Sequence, residues 1–300
     1  NILKEVSKNK KILIKNKIKK ASINSREIKK NDIFFAIKGK NKDGNKFVHE
    51  AFKKGACLVV VNKINNFFKK NNQIKVKNTL KFLTETSKMI RQNSLSKIIA
   101  ITGSCGKTSL KEMLKVTLEK FSNVSSSPKS FNNKYGVPLS LFNINPRHDY
   151  GIFEVGMDKK GEIDFLSKII QPDVGVITNI SHAHAKNFKN IKHIAMAKGE
   201  IINNIVPGGT VVLNADDNFF NFHKNIAIKK KIKVISFGIN KIANIRLINL
   251  KKKKNKFKIS ISINGKNKVF YASCNFENFI KNLLASIAIN SIFRDPLNID

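Results

Sequence analysis

The stretch Ile98-Ile99-Ala100-Ile101-Thr102-Gly103-Ser104-Cys105-Gly106-Lys107-Thr108 decides the fold. Its apolar run reads as a buried strand. The run breaks at Gly103-Ser104-Cys105-Gly106, and Lys107-Thr108 then opens an amphipathic segment over residues 109–120. Strand, glycine loop and helix start are what a nucleotide phosphate needs. The glycines let backbone N–H groups approach phosphate oxygens, and the helix N-terminus adds partial positive charge. Lys107 supplies a point charge, and the Thr108 hydroxyl can ligate Mg2+. Gly103, Ser104, Cys105, Gly106, Lys107, Thr108 and Ser109 are therefore the expected contacts of a bound nucleotide such as ATP. The loop is shorter than the general pattern G-x-x-x-x-G-K-[ST], because Ile101 stands at the upstream glycine position. An ordinary glycine-rich turn is the competing reading, and the flanking strand and helix weigh against it.

Working outward, the spacing of apolar residues divides the chain near residues 94–96. Before that junction, residues 32–37 and 57–61 read as strands, with a helix at 47–55 between them and another at 79–93. After it, strands at 151–155, 174–178, 210–213 and 234–237 alternate with helices at 162–169 and 191–203. That is the doubly wound α/β pattern, whose ligands sit at the carboxyl ends of the strands. Beyond Phe237 the pattern changes. Residues 245–250, 257–263 and 268–272 alternate apolar and polar side chains, and Asn264-Gly265 is a hairpin signal, so a small antiparallel sheet is expected there. A helix at 277–292 follows. The fold class is α/β, with a small domain at 1–95 and a larger phosphate-loop domain at 96–300.

The chain has 300 residues, 41% of them hydrophobic, enough for two cores. Its formal net charge is +37. Such a balance ordinarily points to nucleic acid or an anionic membrane. Here the lysines are scattered through every segment beside abundant Asn and Ile, which reads as compositional drift, and no nucleic-acid module or interleaved aromatic pattern accompanies them. No run is long enough to span a membrane, and the lysine-rich beginning lacks the apolar core of a signal peptide. The three cysteines, Cys57, Cys105 and Cys274, are far apart and lack metal-ligand spacing. Free thiols in a reducing compartment, hence the cytoplasm, follow from that usage. A monomer that binds no nucleic acid and does not insert in a membrane is the expectation.

Further segments carry a resemblance. They are Thr102-Gly103-Ser104-Cys105-Gly106-Lys107-Thr108, Asn132-Asn133 with Gly136-Val137-Pro138-Leu139, Glu154-Val155-Gly156-Met157 with Gly161-Glu162-Ile163, Thr178-Asn179-Ile180 with Ala183-His184, Ala197-Lys198-Gly199-Glu200-Ile201, and Asn214-Ala215-Asp216-Asp217. In this order they resemble the Mur ligase superfamily, the ATP-dependent amide ligases of peptidoglycan synthesis. Within it they are similar to the branch that joins D-Ala-D-Ala to UDP-MurNAc-tripeptide. The resemblance extends to the start of the chain, where Ser25-Arg26, Asp32-Ile33-Phe34-Phe35-Ala36-Ile37-Lys38-Gly39 and Asp43-Gly44 look like the family's UDP-sugar-binding domain. It implies ATP and Mg2+ as cofactors and an acyl-phosphate intermediate on the tripeptide carboxylate. The family continues into a third, Rossmann-like domain to which nothing here corresponds, so the expectation is a chain lacking that domain, able to bind ligands and unable to ligate. Another Mur ligase, a folylpolyglutamate synthase-like ligase, or a binding fragment without catalysis remain the alternatives.

Residue by residue, the resemblance implies the following. Lys107, Lys198 and His184 serve catalysis, and Thr108, Glu154, His184 and Lys198 surround the metal. Lys198 is the family's carbamylated lysine, converted from cation to anion. Asn132 and Asn133 line the cleft near the γ-phosphate, with Gly136 and Pro138 setting a turn. Asn214 and Asp216 face the nucleotide, as does Asn282. Ser25, Arg26 and Asp43 belong to the UDP-sugar site. Each has a plainer alternative: a solvated strand-end carboxylate for Glu154, a structural imidazole for His184, a helix-surface lysine for Lys198, and turn chemistry for Asn214 and Asp216. The chain departs from the family at Asn24, at Asn45, at Lys186 in place of an acid, and at Asn278-Phe279.

Overall fold

The computed structural model describes residues 2–7, 17–39, 41–182, 187–253, 256–273 and 279–294. It divides into two units, Asn1–Ser94 with Tyr135–Asn145, and Leu95–Lys134 with Pro146–Asp300. The segment 135–145, which the sequence reading leaves in the second domain, thus clusters with the first.

The first unit opens with helix α1 (Ile2–Ser7) and builds a parallel four-stranded sheet in the order β1 (Ala21–Ser22), β2 (Ile33–Phe35), β3 (Leu58–Val61), β4 (Gln73–Lys75). β2 and β3 are apolar throughout, β-branched or aromatic except at Leu58, and wholly buried, as strands covered on both faces must be. Helix α2 (Val48–Lys53) packs Val48 and Ala51 against Phe34, Ala36, Val59 and Val61. Helix α3 (Thr79–Gln92) starts where the Asn78 side chain accepts the Lys81 N–H at 2.9 Å.

The second unit begins with β5 (Lys97–Thr102), helix α4 (Lys107–Glu119) and β6 (Val124–Ser126). The chain then enters the first unit as helix α5 (Gly136–Phe142), where Ser87 Oγ donates to the Pro138 carbonyl at 2.7 Å and the Phe142 ring meets Phe35 edge-on. Gly136 and Pro138, expected to set a turn, lie inside this helix. Pro138 is tolerated because first-turn N–H groups have no intrahelical partner. The chain continues in the second unit as β7 (Tyr150–Glu154), α6 (Glu162–Ile170), β8 (Val174–Ile177), α7 (Ile191–Gly199), β9 (Thr210–Asn214), α8 (Phe220–Lys229), β10 (Lys233–Gly238), β11 (Ile245–Lys253), β12 (Lys256–Ile263), β13 (Lys266–Ser273) and α9 (Ile280–Phe293).

Its nine strands form one sheet in the order β13-β12-β11-β10-β9-β8-β5-β7-β6. The sheet is parallel from β6 to β11 and antiparallel beyond. The expected small antiparallel sheet is therefore not separate: β11 joins β10 through the pairs Phe237↔Ile245 and Gly238↔Arg246. The hairpin at Asn264-Gly265 has φ of 49° and 88°, the left-handed pair that matches strand twist. α4 lays Leu110, Leu114 and Leu118 on the sheet, each fully buried, and α9 adds Leu284, Ala285 and Ala288 to the same core. Burial of one such leucine stabilises by roughly 2 kcal/mol. β5, the first strand, lies between β7 and β8, so the chain crosses from one side of it to the other. Such a reversal of strand order is where open α/β sheets place ligands, and loop 103–106 begins at that end of β5.

Candidate functional site

The loop at 103–106 is shaped by the neighbouring strand. Gly103 has φ +145°, and a Cβ there would lie 1.9 Å from Thr178 Oγ1 just past β8, so only glycine fits. Thr178 Oγ1 donates to the Cys105 carbonyl at 2.6 Å, and Asn179 Nδ2 reaches the same oxygen at 3.1 Å. Asn179 accepts in return, its Oδ1 from the Cys105 N–H at 3.0 Å and its carbonyl from the Ser104 N–H at 2.9 Å. Ser104 Oγ donates to the Ser181 carbonyl and accepts the Ser181 N–H. The Thr178-Asn179 pair, which the sequence reading used only as a family mark, is the clamp on this loop.

α4 starts at Lys107 with no side chain capping its first turn. Its leading N–H groups and its dipole are directed at the space above the loop. Lys107 Nζ donates to the Gly103 carbonyl at 2.9 Å. Thr108 and Ser109 are exposed beside it. Asn282, in the first turn of α9, touches the loop from the other side, its Nδ2 3.4 Å from the Gly106 carbonyl.

Glu154 ends β7, opposite Ile101 in register, and is 2% exposed. Its Oε2 accepts from Thr108 Oγ1 at 2.8 Å and its Oε1 from Asn132 Nδ2 at 2.8 Å. Among the described residues no cation pairs with it. Two of the four lone-pair sites of this carboxylate are used, and both donors are neutral. A buried carboxylate beside a hydroxyl, with oxygen donors only, fits Mg2+ that is completed by phosphate and water. Among the described residues no group of three His, Cys, Asp or Glu that could hold a metal is found. Gly156 explains the loop's fit: a Cβ there would lie 2.9 Å from Asn132 Cγ, and its N–H donates to the Asn132 carbonyl at 2.8 Å.

Lys198, on α7, is 2% exposed, and its ammonium is pushed down to about 7. Burial is the main cause and the nearby Lys107 charge adds to it. Lys198 is thus within electrostatic reach of Lys107, the first residue of α4. Two residues on, Glu200 accepts the Gly161 N–H at 2.9 Å and the Asp164 N–H at 3.1 Å, capping α6. His184 lies outside the described residues.

Other expected residues have protein partners. Asn214 Nδ2 donates to the Thr178 carbonyl at 3.2 Å and its Oδ1 accepts the Asp216 N–H at 3.0 Å. The Asp216 carboxylate accepts the N–H groups of Ile239 and Asn240, both at 2.9 Å, shaping the β10–β11 connection. Asn133 is exposed. In the first unit, Ser25 Oγ donates to Glu50 at 2.6 Å and Arg26 is exposed. Asp43 Oδ1 accepts from the Asn45 side chain at 2.7 Å and the Asn45 N–H at 2.9 Å, which lowers its pKa. Ser25 and Arg26 follow β1 and Asp43 follows β2, both at the carboxyl edge of that sheet. Cys105 is exposed. Cys57 is half-buried, its thiol pKa raised by burial, and Cys274 lies outside the described residues. No described helix is long and apolar enough to cross a membrane.

Sequence reasoning missed Lys111 and Ser127, and used Glu200 only as part of a family segment. Lys111 is fully buried in α4, and Ser127 Oγ accepts the Glu154 N–H at 3.3 Å. Only a lysine on the apolar face of an amphipathic helix could have marked Lys111 in advance.

Two family models match the chain. One, of the Mur ligase middle domain, matches residues 101–290, and one described as the Mur ligase family catalytic domain matches residues 17–91. The UDP-N-acetylmuramoyl-tripeptide--D-alanyl-D-alanine ligase of Rickettsia prowazekii (strain Madrid E) is 39% identical over 228 residues, 75% of this chain and 50% of that protein. The enzyme of the same name from Buchnera aphidicola subsp. Baizongia pistaciae is 37% identical over 279 residues, 92% of this chain and 59% of that protein. A crystal structure of MurF from Acinetobacter baumannii matches with a TM-score of 0.85 at 27% identity, covering 97% of this chain and 64% of that one. MurF ligase from Thermotoga maritima, in complex with ADP, shares the fold with a TM-score of 0.80 at 23% identity, over 94% of this chain and 65% of that one. The chain spans between half and two-thirds of the length of these relatives. The middle-domain match alone takes in well over half of the 300 residues, and the chain belongs to the Mur ligase family.

Proposed function

We propose that the chain serves ATP-dependent amide ligation in the cytoplasm, joining D-Ala-D-Ala to UDP-MurNAc-tripeptide in peptidoglycan synthesis. The observation that carries this is the clamped loop 103–106 leading into Lys107 and Thr108, with Thr108 bonded to the buried Glu154. The identity to proteins of that name supports the choice of substrates.

In this reading an oxygen of the tripeptide's terminal carboxylate attacks the γ-phosphorus, and ADP leaves. The amine of D-Ala-D-Ala then attacks the acyl phosphate and loses a proton, and phosphate departs as the amide forms. Two anions must meet in the first step. Lys107 and the loop N–H groups neutralise that repulsion and the charge spread over the transferring group. Thr108 and Glu154 would hold Mg2+, which would offset phosphate charge as a Lewis acid. Asn132 keeps Glu154 aimed. Lys198, whose ammonium is pushed down to about 7, would as the neutral amine form an N–C bond to CO2 and release one N–H proton to water, leaving a carbamate anion beside Lys107. Ser25, Arg26 and Asp43 serve the UDP-sugar donor. ATP and Mg2+ are the cofactors, and the protein acts as a monomer without nucleic acid.

Thermal unfolding with each ligand, beside mass detection of the amide, tests the reading. At a free concentration a hundredfold above the dissociation constant, MgATP stabilises the fold by about 2.7 kcal/mol. UDP-MurNAc-tripeptide gives its own shift, and Lys107→Ala loses only the MgATP shift. An unfolding curve that neither ligand moves would overturn the assignment.

A further inference from the structure

We infer that Lys111 is a positioning residue for the metal-binding arm of the site, which rests on the nucleotide reading above. Lys111 is fully buried, an unusual place for an ammonium in a helix whose outer face is open to water. It lies three residues after Thr108, on the same side of α4. Its Nζ donates to the Ser127 carbonyl at 2.8 Å and to the Lys129 carbonyl, and meets Glu112 Oε1 at 3.1 Å.

Those two carbonyls belong to the loop that carries Asn132. Lys129 is turned to φ +47°, a left-handed conformation that non-glycine residues seldom adopt. That turn accompanies the bond from its carbonyl to Nζ. From this anchor the loop runs to Asn132, which bonds Glu154, whose other oxygen takes the Thr108 hydroxyl. Ser127 closes the circuit by accepting the Glu154 N–H. α4 thus touches the metal arm twice, directly through Thr108 and through the loop by Lys111. Losing the second contact frees Asn132 and Glu154 to move against Thr108, while residues 103–107, clamped by Thr178 and Asn179, stay in place.

The test separates metal from phosphate. Calorimetric titration of the chain with ATP in EDTA and with MgATP gives two dissociation constants and their ratio, the Mg2+ gain. In Lys111→Met the ATP–EDTA constant stays within about threefold of wild type, while the Mg2+ gain falls by about tenfold or more, as for lost outer contacts of metal ligands. A second variant leaves the core untouched: Lys129 is exposed, and Lys129→Pro fixes φ near −65°, turning that carbonyl off Nζ. The same selective loss is expected, and this variant decides the matter if Lys111→Met does not fold. An unchanged Mg2+ gain in a folded variant, or equal loss of ATP and MgATP affinity, overturns the inference. Wild-type chain that binds ATP in neither buffer overturns the nucleotide reading itself, and this inference with it.

Discussion

Replacing Lys198 by methionine should stabilise the chain near neutral pH, and the benefit should fade in alkali. In the folded chain the ammonium titrates at about 7, against 10.5 for the ordinary side chain. Between those values the unfolded chain holds one more proton than the folded chain. Stability in this window therefore rises with pH, by about 1.4 kcal/mol per unit. Below 7 both states are protonated, and the contribution is constant at its least favourable. Above 10.5 both are neutral and the penalty is gone. Methionine keeps an unbranched stem of similar length and has no proton to lose. From pH 8 to pH 10 the advantage of Lys198→Met over wild type should shrink by about 2–3 kcal/mol. Urea unfolding of both proteins at each pH, in buffer purged of CO2, measures it, and subtraction cancels the other lysines. Parallel stability curves, differing by less than about 1 kcal/mol across that range, would refute the claim that the folded chain strips water from this amine.

Two further outcomes follow from the geometry. Gly103→Ala would drive a Cβ to 1.9 Å from Thr178 Oγ1 at a φ of +145°, so MgATP should no longer shift unfolding, and Thr178→Ala should not restore the shift because the backbone strain persists. Glu200→Ala leaves the N–H groups of Gly161 and Asp164 without their acceptor and should destabilise by about 1–2 kcal/mol in urea, with hydrogen exchange quickening first at the start of α6.

Much of this architecture could be read from local pattern. The strands around β5 announce themselves because each is a short apolar run next to glycine or polar turn residues, and Asn264-Gly265 dictates its own hairpin. Other parts had no local signal. Val137, Leu139 and Leu141 are apolar whichever core receives them, so nothing in 136–142 says that α5 belongs with α3. β6 has three residues, and α8 is rich in Asn and Lys, so neither shows a usable period. The joining of β11 to β10 depends on Asp216 folding the connection back, a contact across 23 residues. At the site, Lys107, Thr108 and Glu154 stand at the ends of strong elements and are legible. Lys111 is one basic residue among 57 Lys and Arg, set apart by its place on the buried face of α4.

The grip of Thr178 and Asn179 on loop 103–106 bears on how fast the nucleotide of the proposed function would be captured. Fixing one residue's backbone costs about 1–2 kcal/mol of entropy. For residues 103–106 that cost is met when the protein folds, since the segment just past β8 supplies the restraining bonds before any ligand arrives. Association at this loop then needs no slow rearrangement. Its rate is set by diffusion and by the attraction between a tetra-anion and a chain of net charge +37, and it falls as salt screens that field. Residence time, by contrast, rests on short-range contacts that salt reaches far less. Raising ionic strength should therefore weaken affinity mainly through the on-rate.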